Sequence, residues 1–168
     1  MLAYADYLIV ITPPDALAKE MERYKRASVN LVGHFEGMYS KAQIVVSHQT
    51  RCKPYMAQPA FEQMAKRLST MPPIQLRLDG FAYFSHSKNI KTIYTAIEST
   101  DETGRWFRLL EKQMRIKLKG WVPHIAIAKN IPATVFNKLW THFENRELQQ
   151  TFIAGSLTVL HRDTYVEY

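Results

Sequence analysis

The sequence predicts an α+β fold made of two similar halves. Helix-patterned and strand-patterned segments follow one another along the whole chain. Two short apolar strands share one shape, and the elements after them echo each other. The chain's 168 residues are enough for one domain with a substantial core, expected to span residues 1–168. With 46% hydrophobic and 22% charged residues, the composition is that of an ordinary globular protein.

Residues 7–12 read as a buried strand closed by Pro13 and Pro14. Pro14 suits the first turn of a helix, and Leu17, Met21 and Tyr24 give that helix an apolar face as far as about Lys25. Gly33 and Gly37 mark a loop that runs to Ser40. A strand is expected at about 42–47, then a polar, proline-bearing connection over 50–59. Phe61, Met64, Ala65 and Leu68 fall at the i, i+3, i+4 and i+7 positions of a helix that Pro72 and Pro73 end. Residues 74–78 alternate as a strand does, and 80–84 continue it with a bulge or bend at Gly80. Residues 91–98, rich in Ile, Thr and Tyr, form the next strand. Asp101 or Thr103 then caps a helix with Trp106, Leu109, Leu110, Met114 and Leu118 on one face, ended by Gly120. A strand at 121–128, a helix over about 133–144 and two closing strands at 151–160 and 164–168 complete the chain.

The two matching strands are Lys41-Ala42-Gln43-Ile44-Val45-Val46-Ser47 and Trp121-Val122-Pro123-His124-Ile125-Ala126-Ile127-Ala128. Residues i and i+2 of a strand share a face, so Gln43 points with Val45 and His124 with Ala126. Phe61, Met64, Ala65 and Leu68 are matched at the same offsets by Phe136, Leu139, Trp140 and Phe143. Phe61 also precedes Gly80 by as much as Phe136 precedes Gly155. Strand, helix and glycine-bent strand recur in that order, the mark of a duplicated unit. Duplication would face the two strands across a pseudo-twofold axis and bring Gln43 to His124.

These residues resemble the 2H phosphoesterase superfamily, which includes the 2′-5′ RNA ligase-like and cyclic phosphodiesterase proteins. Its signature is two copies of His-x-Thr/Ser, each on a strand. The resemblance covers nearly the whole chain, including the first strand ending at Thr12-Pro13-Pro14. It implies a bilobal, pseudo-twofold fold with two antiparallel sheets around a central groove and helices packed outside. Pro123-His124-Ile125-Ala126-Ile127-Ala128 looks like the second motif, with Ala126 in place of the hydroxyl residue. Ala42-Gln43-Ile44-Val45-Val46 stands where the first motif belongs, with Gln43 for the histidine and Val45 for the hydroxyl residue. The family pattern implies one histidine as general base, one as general acid, and hydroxyls on the phosphate. Histidine suits both proton transfers because its pKa lies near neutrality. Gln43 exchanges no proton, although it can donate and accept hydrogen bonds.

The resemblance therefore makes Gln43, Val45, His124 and Ala126 the candidate ligand-contacting residues, with His124 and Gln43 at the catalytic positions. It implies an impaired enzyme that binds a nucleotide or an RNA end. The alternatives are a cyclic phosphodiesterase using His124 with a substitute second group, and a non-catalytic scaffold for a protein partner whose identity the sequence leaves open. His124 taken alone reads as a core histidine; the repeat and the resemblance move it to a cleft. Gln43 has two open readings, a ligand-binding amide or a neutral replacement.

His48, five positions beyond Gln43, falls on the other face of a regular strand and is expected at the surface. Arg51, Lys53 and Lys129 read as solvated charges, and Trp121 and Tyr83 as packing aromatics with stacking as their other reading. No His-x-x-x-His spacing and no phosphate-cradling glycine loop appears, so neither a metal nor a cofactor is expected. The net charge of +7 favours anionic ligands, although the basic residues are scattered. A single cysteine, Cys52, fits a reducing, cytoplasmic setting. No apolar run approaches the roughly 20 residues of a membrane span, and the first strand lacks the features of a signal peptide.

Overall fold

The computed structural model describes residues 2–166. Strand β1 (Leu2–Ile11) buries Ala5, Tyr7, Ile9 and Ile11 and lies between β2 (Ile44–Cys52) and β7 (Thr158–Val166). A second sheet joins β3 (Ile74–Ser85), β4 (Ile90–Ile97), β5 (His124–Pro132) and β6 (Thr151–Ala154) in the order β5–β4–β3–β6. Every strand pairing in both sheets is antiparallel. Helices α1 (Asp15–Val32), α2 (Pro54–Leu68), α3 (Asp101–Met114) and α4 (Ala133–Phe143) pack around the sheets. One hydrophobic cluster joins Ile9, Ile11 and Ile44 to Ile93, Ile125 and Ile131, with Met21, Leu110 and Leu139 from the helices. The fold is α+β with two antiparallel sheets. None of the described helices is long and apolar enough to cross a membrane.

Several boundaries differ from expectation, and polar residues explain most of them. Helix α1 continues past Lys25 to Val32 because Lys25 and Ser28 extend its buried face, the Ser28 hydroxyl donating to the Tyr24 carbonyl at 2.8 Å. Gly33, at φ +85°, then ends it in a conformation that favours glycine. Strand β2 runs on through polar residues that pair with β1, Gln49 opposite Tyr7 and Cys52 opposite Ala5. What looked like a connection at 50–59 is instead the end of β2 and the start of α2. Pro54 stands in the first turn of α2, and Pro59 forfeits one hydrogen bond without ending the helix. Thr100 caps α3, its hydroxyl accepting from the Thr103 N–H at 3.1 Å. Arg115, at φ +56°, closes that helix well before Gly120.

Gly80, at φ +65°, sits where the β3–β4 ladder shifts register between Leu78 and Phe81, the bend anticipated there. Ile74 to Arg77 pair with β6, while Leu78 and the part after the bend, Phe81 to Ser85, pair with β4. In the closing segment the break falls after Ala154, earlier than expected, and the chain leaves the second sheet to become β7 of the first. Glu167 and Tyr168, the end of the last expected strand, lie outside the described residues.

The two motif strands share an irregularity. In β2, Val45 faces Val10 and Ser47 faces Ile9, so Val46 is an extra, bulged residue. In β5, Ala126 faces Tyr94 and Ala128 faces Ile93, so Ile127 is the extra residue. Each bulge comes three residues after its motif position, Gln43 or His124. A bulge sets two residues against one and inverts the facing of the residues after it, here as far as a second register shift in each strand, past Gln49 in β2 and past Ala128 in β5. His48 therefore returns to the face of Gln43 and Val45, and Lys129 to the face of His124 and Ala126.

Candidate functional site

Gln43, Val45, His124 and Ala126 line one cavity of about 350 Å³, in a region where β2 packs against β5. Leu8, His48 and Lys129 join them on the strands, and Lys25, Gly37, Ser40 and Lys41 close one end. Local alternation explains the placement, although Gln43 comes just before β2 and not on it as expected: Ala42, Ile44 and Val46 are buried in the core, while Gln43 and Val45 between them are half-buried. The expectation that His48 points away from Gln43 is corrected by the bulge at Val46, which a strictly alternating strand does not contain.

His124 is half-buried, and three contacts fix its ring. Its Nδ1 lies 2.7 Å from the Val122 carbonyl oxygen, which can only accept, so Nδ1 carries the proton. The rings of Phe84 and Tyr94 meet it in T-shaped contacts, with ring centroids 4.9 and 5.2 Å away. Nε2 is thus left as the basic nitrogen. Burial pushes the imidazole pKa below its usual value, against the Val122 hydrogen bond, and the Lys129 ammonium lowers it further. At neutral pH His124 is a neutral ring with a free lone pair, able to accept a proton or a hydrogen bond.

Lys25 is only 4% exposed, and its Nζ donates to the carbonyls of Ser40 at 2.7 Å and Gly37 at 3.4 Å. Burial lowers its pKa, which the carboxylate of Glu22 partly opposes. The loop it holds is also fastened to β5, where Asn130 Nδ2 donates to Glu36 Oε2 at 3.1 Å. No carboxylate is among the residues lining the cavity, so its electrostatic character is cationic.

A comparison with protein families matches the model of the 2′-5′ RNA ligase superfamily over residues 13–165. The chain belongs to that superfamily. No curated protein matches it significantly.

For this superfamily member, the residues singled out in the sequence divide into two groups. The motif positions meet in the cavity, and Lys129 and His48 join them through the bulges. Arg51, Lys53, Trp121 and Tyr83 do not line it. Arg51 donates its backbone N–H to Asp6 at 2.9 Å, and Tyr83 packs its ring against Phe136 and Trp140. Trp121 lines a neighbouring cavity with Phe107. Among the described residues no group of three or more His, Cys, Asp or Glu side chains could hold a metal ion. Sequence reasoning passed over Lys25, although it lies in helical phase with Leu17 and Met21, the one available sign that a charge was buried.

Proposed function

We propose that this cavity is the central groove of a divergent 2′-5′ RNA ligase superfamily protein, and that it holds a nucleotide or an RNA end while the two-histidine reaction is strongly impaired. One observation carries the reading: Gln43, Val45, His124 and Ala126, from distant parts of the chain, line the same cation-rich cavity. The matched bulges at Val46 and Ile127 support a duplicated unit with pseudo-twofold symmetry. So does the exchange of closing strands, in which β3 pairs with β4 and β7 with β1.

Breaking a phosphodiester takes a base for the attacking oxygen and an acid for the leaving one, each worth about 10²–10⁴ in rate. His124 can serve as the base through Nε2. Gln43 has no proton to transfer, and Val45 and Ala126 offer a phosphate no hydroxyl. Binding therefore survives more readily than turnover.

The presence of His48 in the same cavity favours a second reading, a working phosphodiesterase in which that imidazole replaces the missing acid. The test is turnover of 2′,3′-cyclic nucleotides and 2′-5′-linked oligonucleotides, with binding followed in parallel at low and high salt. Salt-weakened binding without turnover is the expected result. Turnover abolished by His124→Ala would replace it with the second reading, and absence of any binding would leave a scaffold for a protein partner.

A further inference from the structure

We propose that Lys25, Lys41 and Lys129 form an anion anchor at one end of the cavity, and that it selects a ligand ending in a phosphomonoester over a cyclic or internal phosphodiester. The inference rests on the cavity being the ligand site and names the group held there. It starts from Lys25. A buried ammonium is costly unless its charge is met. Two backbone carbonyls take two of its three N–H donors, so the third has no hydrogen-bond partner among the described residues. Among the described residues no ion pair involves Lys25, Lys41 or Lys129. The buried charge therefore has carbonyl dipoles in contact with it, and Glu22 acts on it only from beyond ion-pair distance.

Lys129 reaches the same end of the cavity from the other sheet. The bulge at Ile127 turns it onto the face of His124. There it lies against the loop that Lys25 holds: a Cβ built on Gly37 would stand 3.8 Å from the Cβ of Lys129. Lys41 enters from the same loop, just before Gln43. Helix α1, the loop and β5 thus bring three lysines to a cavity whose lining holds no carboxylate.

Coulomb attraction scales with the ligand's charge. A phosphomonoester carries nearly two negative charges above its second pKa of about 6, and three free oxygens for donors. A diester carries one charge and two free oxygens. Where hydroxyls are missing at Val45 and Ala126, the lysine end supplies the phosphate contacts instead.

The rival account makes Lys25 a strap for the loop, with no bearing on ligand choice. Titration of the full chain at about pH 8, where the monoester is a dianion, separates the two. The probes are adenosine 2′-phosphate, adenosine 2′,3′-cyclic phosphate and adenosine. The monoester should bind at least about tenfold more tightly than the cyclic diester, a modest figure for charges meeting in a partly desolvated site. Lys129→Gln and Lys25→Met should each weaken monoester binding by roughly tenfold and bring the two phosphates close to parity. Lys129 is exposed, so its variant keeps the test sound if Lys25→Met perturbs folding. Equal affinity for both phosphates, or a preference unchanged in Lys129→Gln, would overturn the anchor while leaving the cavity as a nucleotide site. Binding of none of the probes would remove the cavity reading and the anchor with it.

Discussion

His124→Phe separates a cleft histidine from a core histidine. The imidazole makes one hydrogen bond, Nδ1 to the Val122 carbonyl. Losing a neutral hydrogen bond costs about 0.5–1.5 kcal/mol net. Val122 is 41% exposed, so water can reach that peptide and hold the cost near the lower figure. Against it, a phenyl ring at the same place keeps the packing against Phe84 and Tyr94 and replaces the polar ring atoms with apolar surface, worth about 1 kcal/mol at a half-buried position. The two terms nearly cancel, and the variant should lie within about 1 kcal/mol of the parent at pH 8 by urea denaturation, with an unchanged m-value.

The acid side carries the sign. Because the folded-state pKa of His124 is depressed, the unfolded chain takes up its proton first as the pH falls. The stability associated with the neutral ring is present above about pH 6.5 and is lost as the pH falls towards the folded pKa. His124→Phe removes that dependence and should gain on the parent as the pH falls below about 6.5. A cost above about 2 kcal/mol at pH 8 would refute the reasoning and mark His124 as a structural core residue, since only a fully buried, indispensable bond costs that much.

Thr92→Val should destabilise by about 1–3 kcal/mol, because Thr92 is 3% exposed and its hydroxyl accepts the Asn130 N–H at 3.0 Å and bonds His86 Nε2 at 2.8 Å, so its loss takes a partner from each. Thr92→Ser should recover most of that loss in the same denaturation assay. Gly80→Ala should cost about 1 kcal/mol from the backbone alone, since a Cβ there meets nothing closer than the Arg146 carbonyl at 3.9 Å while φ is +65°. A melting temperature unchanged in Gly80→Ala would show that the bend in β3 does not need glycine.

The sequence shows its structure best where apolar residues keep a period. Phe61, Met64 and Leu68 mark α2, and Ile74, Leu76 and Leu78 mark the first part of β3, because in both the buried face is wholly apolar. It fails where a buried or paired position is polar. Lys25 and Ser28 hide the second half of α1, and the run from Ser47 to Arg51 hides the end of β2, whose edge pairing asks little of the side chains.

Of the candidate site, the positions of Gln43, Val45, His124 and Ala126 follow from simple alternation. His48 and Lys129 do not, because a one-residue bulge leaves no mark in composition yet reverses the face of the residues that directly follow it. Lys25 is missed for another reason. A lysine on an apolar helix face ordinarily reaches solvent with its tip, and here the loop carbonyls of Gly37 and Ser40 keep it inside.

The central claim is that the proposed groove keeps the arrangement of a two-histidine phosphoesterase site with His124 as its one surviving reacting group. The direct test rebuilds them: Gln43→His, Val45→Thr and Ala126→Thr in one chain, assayed against the parent for hydrolysis of a 2′,3′-cyclic nucleotide. With His124 already in place, the rebuilt chain should gain at least about 10²-fold in rate, the lower worth of one positioned acid or base. The gain should vanish when His124→Ala is added. A parent that already turns over the substrate through His124, or a folded rebuilt chain with no gain at all, would contradict the account.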